Sequence, residues 1–204
     1  MGRQRTRTKS LLIRLALLAI FLVSVHQGPA AMLPQGIAEA QTPSTTCIPG
    51  RVTPAVTAGP FYKAGSPQRT SLLEPGMVGT KFTITGQVFT RGCRPVVGAW
   101  LDFWQANAQG KYDNAGYRLR GHQFTDSTGR YMLESVLPGE YPGRTPHIHV
   151  KVMAPNRPVL TTQLYFAGAV QNQSDTLFRP ELLLQIHETA TGKAATFNFV
   201  LELE

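Results

Sequence analysis

Acids and cysteines are scarce in this chain. Its 204 residues hold 12 Asp and Glu against 20 Lys and Arg, and only two cysteines, Cys47 and Cys93. No CxxC pair occurs, which removes the zinc-ribbon class. Lys and Arg form no contiguous run. Nucleic-acid binding rests on a basic patch or stripe, so no nucleic-acid partner is expected. No internal repeat is visible, and no stretch sustains a long amphipathic helical period. The longest apolar stretch, residues 11–25, is interrupted by Arg14 and Ser24. It falls short of the roughly 20 residues that a membrane-spanning helix requires.

That apolar stretch has a different meaning. Arg3, Arg5, Arg7 and Lys9 precede it, and Gly, Pro and Ala follow it as far as Ala38-Glu39-Ala40. A basic head, an apolar middle and a small-x-small end make a cleavable signal peptide. Residues 1–40 are therefore expected to be a leader and 41–204 a single mature domain. The head has no adjacent Arg pair, so the twin-arginine route is not signalled. Residues 1–40 carry five Lys/Arg and one acid, so their removal leaves +4 of the formal +8. A mild positive field suits small aromatic acids and phenolates. The chain is expected in a periplasm or outside the cell, with no membrane span once the leader is cut. In such oxidising surroundings Cys47 and Cys93 are expected to pair. Nothing in the sequence sets the oligomeric state.

Residues 41–80 are rich in Pro, Gly, Thr and Ser and predict an extended arm with turns, including Gly59-Pro60-Phe61-Tyr62. Short strand-like runs follow. In Lys81–Val88, Phe82, Ile84 and Val88 fall on one face and Lys81, Thr83, Thr85 and Gln87 on the other. Ala99–Gln105, Arg130–Val136, His147–Met153, Leu160–Phe166 and Thr196–Leu203 read the same way, separated by Gly-containing turns. Residues 177–188 predict one short helix. Strands joined by turns, without intervening helices, predict an all-β fold. We expect a β-sandwich of mainly antiparallel strands with an extended N-terminal arm.

The chemistry concentrates in Pro138–Val152. His147 and His149 are two apart on an expected strand, so both imidazoles take one face while Ile148 and Val150 take the other. Two histidines on one face can hold a metal through two nitrogens, or they can be plain residues of a half-exposed face. No carboxylate follows within reach along the strand, which argues against a cupin-like site. No third histidine lies nearby for a zinc His₃ site; His122 would need the fold to return it. Tyr141, six residues before His147, and Tyr112, after Gly110-Lys111, are the remaining candidate donors. A tyrosinate is a hard anionic oxygen that suits a hard trivalent ion such as Fe(III), whose charge offsets ionising a phenol of pKa about 10. The alternative is that both tyrosines are amphipathic core or rim residues.

An ordered set of motifs then resembles a known family. Gly-x-Tyr-Asp-Asn at 110–114, Arg-Gly at 120–121, Thr-Asp-x-x-Gly-x-Tyr at 125–131, Pro-Gly-x-Tyr at 138–141 and Arg-Thr-Pro-His-Ile-His at 144–149 occur in this order. Gly59-Pro60-Phe61-Tyr62 and the Trp100–Ala106 stretch fit the same pattern. Together they are similar to the intradiol ring-cleavage dioxygenases of the catechol and protocatechuate type, over nearly the whole expected mature chain. The resemblance is to the exported single-domain branch. Many relatives in that branch carry Asp where this chain has Asn107.

The resemblance implies a β-sandwich and a non-haem Fe(III) held by Tyr112, Tyr141, His147 and His149. It implies a catecholic substrate and O₂ as the small-molecule partners, with the ring cut between its two hydroxyl-bearing carbons to a muconate-type diacid. Tyr141 would double as a general base and Arg144 would stabilise charge on the ring. Gln163, Tyr62, Gly59 and Pro60 would join Arg144 around the substrate. The competing expectation is an exported β-sandwich that binds a partner without catalysis. A zinc hydrolase fits less well, since zinc favours His, Cys and carboxylate over tyrosinate.

Overall fold

The structure, a computed structural model, describes residues 46–204. The expected leader at 1–40 and its cleavage site lie outside the described residues. Among the described residues no helix is long and apolar enough to cross a membrane.

Nine strands carry the fold: β1 Lys81–Thr90, β2 Trp100–Gln105, β3 Arg120–Phe124, β4 Arg130–Val136, β5 His147–Met153, β6 Leu160–Phe166, β7 Leu183–Thr189, β8 Gly192–Thr196 and β9 Phe199–Leu201. Their hydrogen-bonded order is β3-β2-β5-β6-β7-β8-β1-β4, and β9 pairs with β1. The β1/β4, β2/β3, β2/β5, β5/β6 and β7/β8 pairs are antiparallel. The β1/β8, β1/β9 and β6/β7 pairs are parallel. The fold is thus the all-β sandwich the sequence predicts, with one layer built on β3-β2-β5-β6 and the other on β8-β1-β4. Strand β7 links the layers. Its Leu183 and Leu184 pair with β6, and its Gln185–Thr189 pair with β8.

Alternation explains which face each strand buries. In β1, Phe82, Ile84 and Val88 are buried in the core, as the sequence predicts. Leu101, Phe103, Ile148, Val150 and Leu164 meet them from the other layer, all with no residual exposure. The helix expected over 177–188 is absent. Residues 177–179 are turn and loop, a 3-10 turn forms at Pro180–Leu182, and the remainder is β7. Local pattern lost to tertiary pairing there, because β8 supplies a ladder from Gln185 to Thr189 that a helix would forgo.

The arm behaves as a strap. Cys47 and Cys93 are joined by a 2.03 Å S–S bond across 46 residues of sequence. Thr53 N–H donates to the Val200 carbonyl (2.9 Å) and Val56 N–H to the Thr161 carbonyl (2.9 Å). Further on, His122 N–H donates to the Pro67 carbonyl (3.0 Å), closing the free edge of β3. The arm therefore crosses the outer face of β6, β5 and β2, the face that carries both histidines. A loop of 46 residues closed by a disulfide contributes about 4 kcal/mol in the chain-entropy picture. That is a large fraction of a domain's usual 5–15 kcal/mol. Reduction should lower the melting temperature sharply, measured by circular dichroism with and without a thiol reductant. An unchanged melting point would show that the arm is held by its hydrogen bonds alone.

Candidate metal centre

Four rings converge where the β5 face meets two loops and the arm. His147 and His149 are 2% and 1% exposed, with ring centroids 4.6 Å apart. The Tyr141 ring lies 5.7 Å from that of His147, and the Tyr112 ring 5.7 Å from Tyr141 and 6.4 Å from His149. The histidines arrive by strand alternation. The tyrosines arrive on separate loops, which a close backbone contact clamps together. Gly110 takes φ of 73°, and a Cβ there would stand 1.8 Å from the Glu140 carbonyl oxygen. Only glycine meets both conditions. Asn107 shapes the same loop: its Oδ1 accepts from Gln109 N–H (3.0 Å) and Lys111 N–H (2.9 Å). An Asp would make the same bonds, so Asn or Asp at this position serves the loop alike.

Each histidine is held differently. His147 Nδ1 lies 2.6 Å from the Thr145 carbonyl, which can only accept, so Nδ1 carries the proton and Nε2 presents a lone pair. His149 stacks on Trp104 at 4.7 Å and 4°. Gly59 lies on its other side, where a Cβ would come within 3.5 Å of Cε1. His149 Nδ1 closes no hydrogen bond of full geometry, although the Thr57 backbone is near enough to favour the protonated ring slightly. The two Nε2 atoms face each other at 3.0 Å.

Electrostatics keep both rings neutral. Burial first, then the Arg144 charge, lowers His147 from 6.5 to about 4 against the opposing Thr145 bond. Burial, His147, Arg144 and Arg120 push His149 well down. Burial and Tyr141 push the Tyr112 hydroxyl up, against the milder pull of Arg144 and Arg120. Its oxygen is buried and has no hydrogen-bond partner.

The depressed His147 pKa makes the metal-free protein acid-sensitive. Below pH 6.5 the unfolded chain binds a proton that the folded chain refuses until about pH 4. Stability is therefore full above 6.5 and falls through that window, by roughly 3 kcal/mol from His147 alone. Urea midpoints of metal-free protein at pH 7 and pH 5 measure this. Equal midpoints would mean the ring is already charged in the fold.

This donor set fits a metal ion. The two imidazole Nε2 atoms face each other 3.0 Å apart, close enough for one ion to be shared between them. A buried phenol with no partner calls for an explanation, and a cation supplies both a partner and the charge to ionise it. Among the described residues no group of three or more His, Cys, Asp or Glu could hold a metal. The candidate donors are imidazoles and phenols, a set that matches zinc's usual His, Cys and carboxylate ligands poorly.

Arg144 reaches the site as a fork. Its Nε donates to Asp175 Oδ2 (2.9 Å), Nη2 to Gln163 Oε1 and Nη1 to Tyr141 Oη (3.2 Å). Gln163, opposite His149 in the β5/β6 register, also donates from Nε2 to the Thr57 carbonyl (2.8 Å). Pro60 is exposed and lines a cavity of about 370 Å³ with Phe61, Tyr62, Lys63, Asn114 and Arg120. Tyr62 turns away from the four rings. Its hydroxyl donates to Asp102 Oδ2 (3.2 Å), and its ring meets His149 only through Trp104.

Three residues were not singled out by sequence reasoning. Phe61 stacks on Tyr112 at 4.4 Å and stands edge-on to Tyr141 at 6.0 Å. Its place in the Gly-Pro-Phe-Tyr turn was the available signal. Buried Arg120 donates to the Phe61 carbonyl (2.7 Å) and the Asp113 carbonyl (3.0 Å), tying the arm to the Tyr112 loop. Asp175 approaches from a segment with no motif.

Comparison with known proteins gives the class. Residues 57–203 match the model of a dioxygenase family. The solved dioxygenase domain of a dioxygenase–carbohydrate-binding protein fusion from Streptomyces sp. SirexAA-E is 49% identical at a TM-score of 0.74, covering 76% of this chain and 100% of that one. The chain belongs to the intradiol dioxygenase family. Among its curated relatives, the chlorocatechol 1,2-dioxygenase of Rhodococcus opacus is 26% identical over 189 residues, 75% of this chain and 74% of that protein. The catechol 1,2-dioxygenase of Pseudomonas sp. strain EST1001 is 29% identical over 153 residues, 62% of this chain. That match spans about half (51%) of the Pseudomonas protein.

Proposed function

We propose that this chain is an exported, Fe(III)-dependent intradiol dioxygenase that cleaves a catecholic ring with O₂ between its hydroxyl-bearing carbons. Its iron ligands are Tyr112, Tyr141, His147 and His149. The observation that carries this is the clustering of two buried imidazoles and two phenols, with neighbouring ring centroids 4.6 to 6.4 Å apart and the Tyr112 oxygen unpartnered. A protein that only bound a partner would bear the desolvation of that hydroxyl, about 1–3 kcal/mol, with no return. Export rests on the leader pattern and on the disulfide, which suits an oxidising compartment.

Bound Fe(III) supplies the Lewis acidity that makes a catecholate reactive toward O₂. The chain's own residues do the rest. A catechol arriving as the neutral diphenol must lose protons, and Tyr141 is the protein group that takes one as a general base. The two tyrosines differ in the way this division requires. Tyr141 Oη already has a donor, Arg144 Nη1, to hold it away from a metal, whereas Tyr112 Oη has none. Tyr112 would therefore be the lasting ligand, and Tyr141, with Arg144 Nη1 to receive its oxygen, would be the one free to hold a substrate proton. Arg144 then holds a positive charge beside the ring in a site from which the arm and Phe61 exclude water. Gln163 and the Gly59 backbone fix the walls.

Product analysis tests the reaction. Catechol and ¹⁸O₂ should give a muconate-type diacid carrying both labelled atoms, and a ring opened beside the hydroxyls would contradict the intradiol cut. Tyr112→Phe tests the ligand set. The iron-loaded variant should lose most of its tyrosinate-to-iron visible absorption, and absorbance equal to wild type would reject Tyr112 as a ligand.

A further inference from the structure

Asp175 lies outside every motif, yet its side chain is only 2% exposed and it ends against Arg144 and Thr145, behind the site. A buried carboxylate is unfavourable unless it is paired and hydrogen-bonded. Here it is both. Oδ2 accepts from Arg144 Nε (2.9 Å) and from Thr145 N–H (3.1 Å), and Oδ1 accepts from Leu177 N–H (2.9 Å). Burial works to raise this carboxyl, but the Leu177, Arg144 and Thr145 bonds outweigh it and hold its pKa below the ordinary value.

Those contacts reach the metal donors by two routes. A guanidinium is planar and rigid. With Nε fixed by Asp175 and Nη2 by Gln163, the direction of Nη1 is set, and it points at Tyr141 Oη. Thr145 is the second route. Its N–H is held by Asp175, while its carbonyl receives the Nδ1 proton of His147 at 2.6 Å. One carboxylate therefore sits behind the group that receives the departing tyrosine and behind the group that sets a histidine's tautomer.

We infer that Asp175 is the positioning residue that sets Arg144 and His147 together. This rests on the dioxygenase reading above. Asp175 touches neither substrate nor metal and acts only through these two partners.

The test is a double-mutant cycle on the iron-loaded full chain, with Asp175→Asn, Arg144→Met and the double variant. Asn keeps the shape and one acceptor oxygen, enough for one of the two backbone N–H groups, and loses the charge that binds Arg144. Asp175→Asn should lower kcat about 10- to 100-fold, as removal of a ligand's supporting partner does, with KM changed less than about threefold. Its visible absorption maximum should move in the direction seen in Arg144→Met. The double variant should fall within about threefold of Arg144→Met alone, since partners in one network are not additive. Wild-type kcat in Asp175→Asn, or losses that multiply in the double variant, would overturn the inference. If Asp175→Asn does not fold, Asp175→Glu carries the same cycle, because it keeps the charge and displaces the carboxylate by one methylene. Metal-free protein gives a readout independent of iron and turnover. The hydrogen-bonded Nδ1 proton of His147 should shift by NMR in Asp175→Asn and stay in place in Arg144→Met. An unmoved proton in Asp175→Asn removes the His147 arm of the inference. Wild-type protein that takes up no iron would count against the dioxygenase reading instead, and the NMR comparison would still judge Asp175.

Discussion

His149→Ala should leave the protein folded and unable to hold iron. Residues that merely orient a metal ligand contribute about 10- to 100-fold in affinity, so removal of a ligand should exceed about 100-fold. Turnover should fall to the level of metal-free protein. The ring stacks on Trp104 and lies under Gly59, away from the main core. Its loss leaves a cavity at the site, and the sandwich should tolerate it. His187 is the matching control. It is exposed on β7, outside the converging rings, and His187→Ala should keep full metal content. Iron per chain, measured by elemental analysis on protein purified from iron-supplemented medium, separates the two. Equal iron in wild type and His149→Ala would remove His149 from the ligand set.

Arg144→Ala should do the opposite, keeping iron and losing rate. Arg144 contributes three donors and no metal-binding atom. Removing one preorganised donor from a water-excluded site lowers turnover about 10²- to 10³-fold. Arg144 also leaves Asp175 buried and Tyr141 without its donor, so the effect belongs at the upper end. The melting temperature should fall as well, because a buried carboxylate loses its partner. Iron content, kcat and melting point on one preparation decide the matter. Loss of iron would make Arg144 a prop for His147 and Tyr141 rather than a charge beside the substrate.

The sequence showed half of the centre through geometry and half through likeness. His147 and His149 follow from a two-residue period on a strand, and the structure puts both on one face with Ile148 and Val150 buried on the other. Tyr112 and Tyr141 have no period to reveal them. They meet because Gly110 lets its loop touch the Glu140 carbonyl, a contact between segments some 30 residues apart. Phe61 and Arg120 stood inside motifs whose spacing gave no hint of what they touch, and Asp175 stood in none, since each acts across a long sequence separation. Among the elements, β1, β4, β5 and β6 were legible from alternating apolar residues. β3 and β8, Arg-Gly-His-Gln-Phe and Gly-Lys-Ala-Ala-Thr, carry little apolar alternation and exist because neighbours pair with them. Residues 177–188 predict a helix locally, and β7 forms in their second half because its tertiary partners decide its state.

Tyr112, Tyr141, His147 and His149 are proposed to hold Fe(III), with catechol binding there. The visible spectrum of iron-loaded protein, before and after catechol is added with O₂ excluded, tests this most directly. A broad tyrosinate-to-iron band that shifts to longer wavelength on catechol addition, and returns to its original position when O₂ is admitted and the catechol is consumed, is the predicted result. Protein that stays colourless after reconstitution with Fe(III) and shows no change with catechol would contradict it.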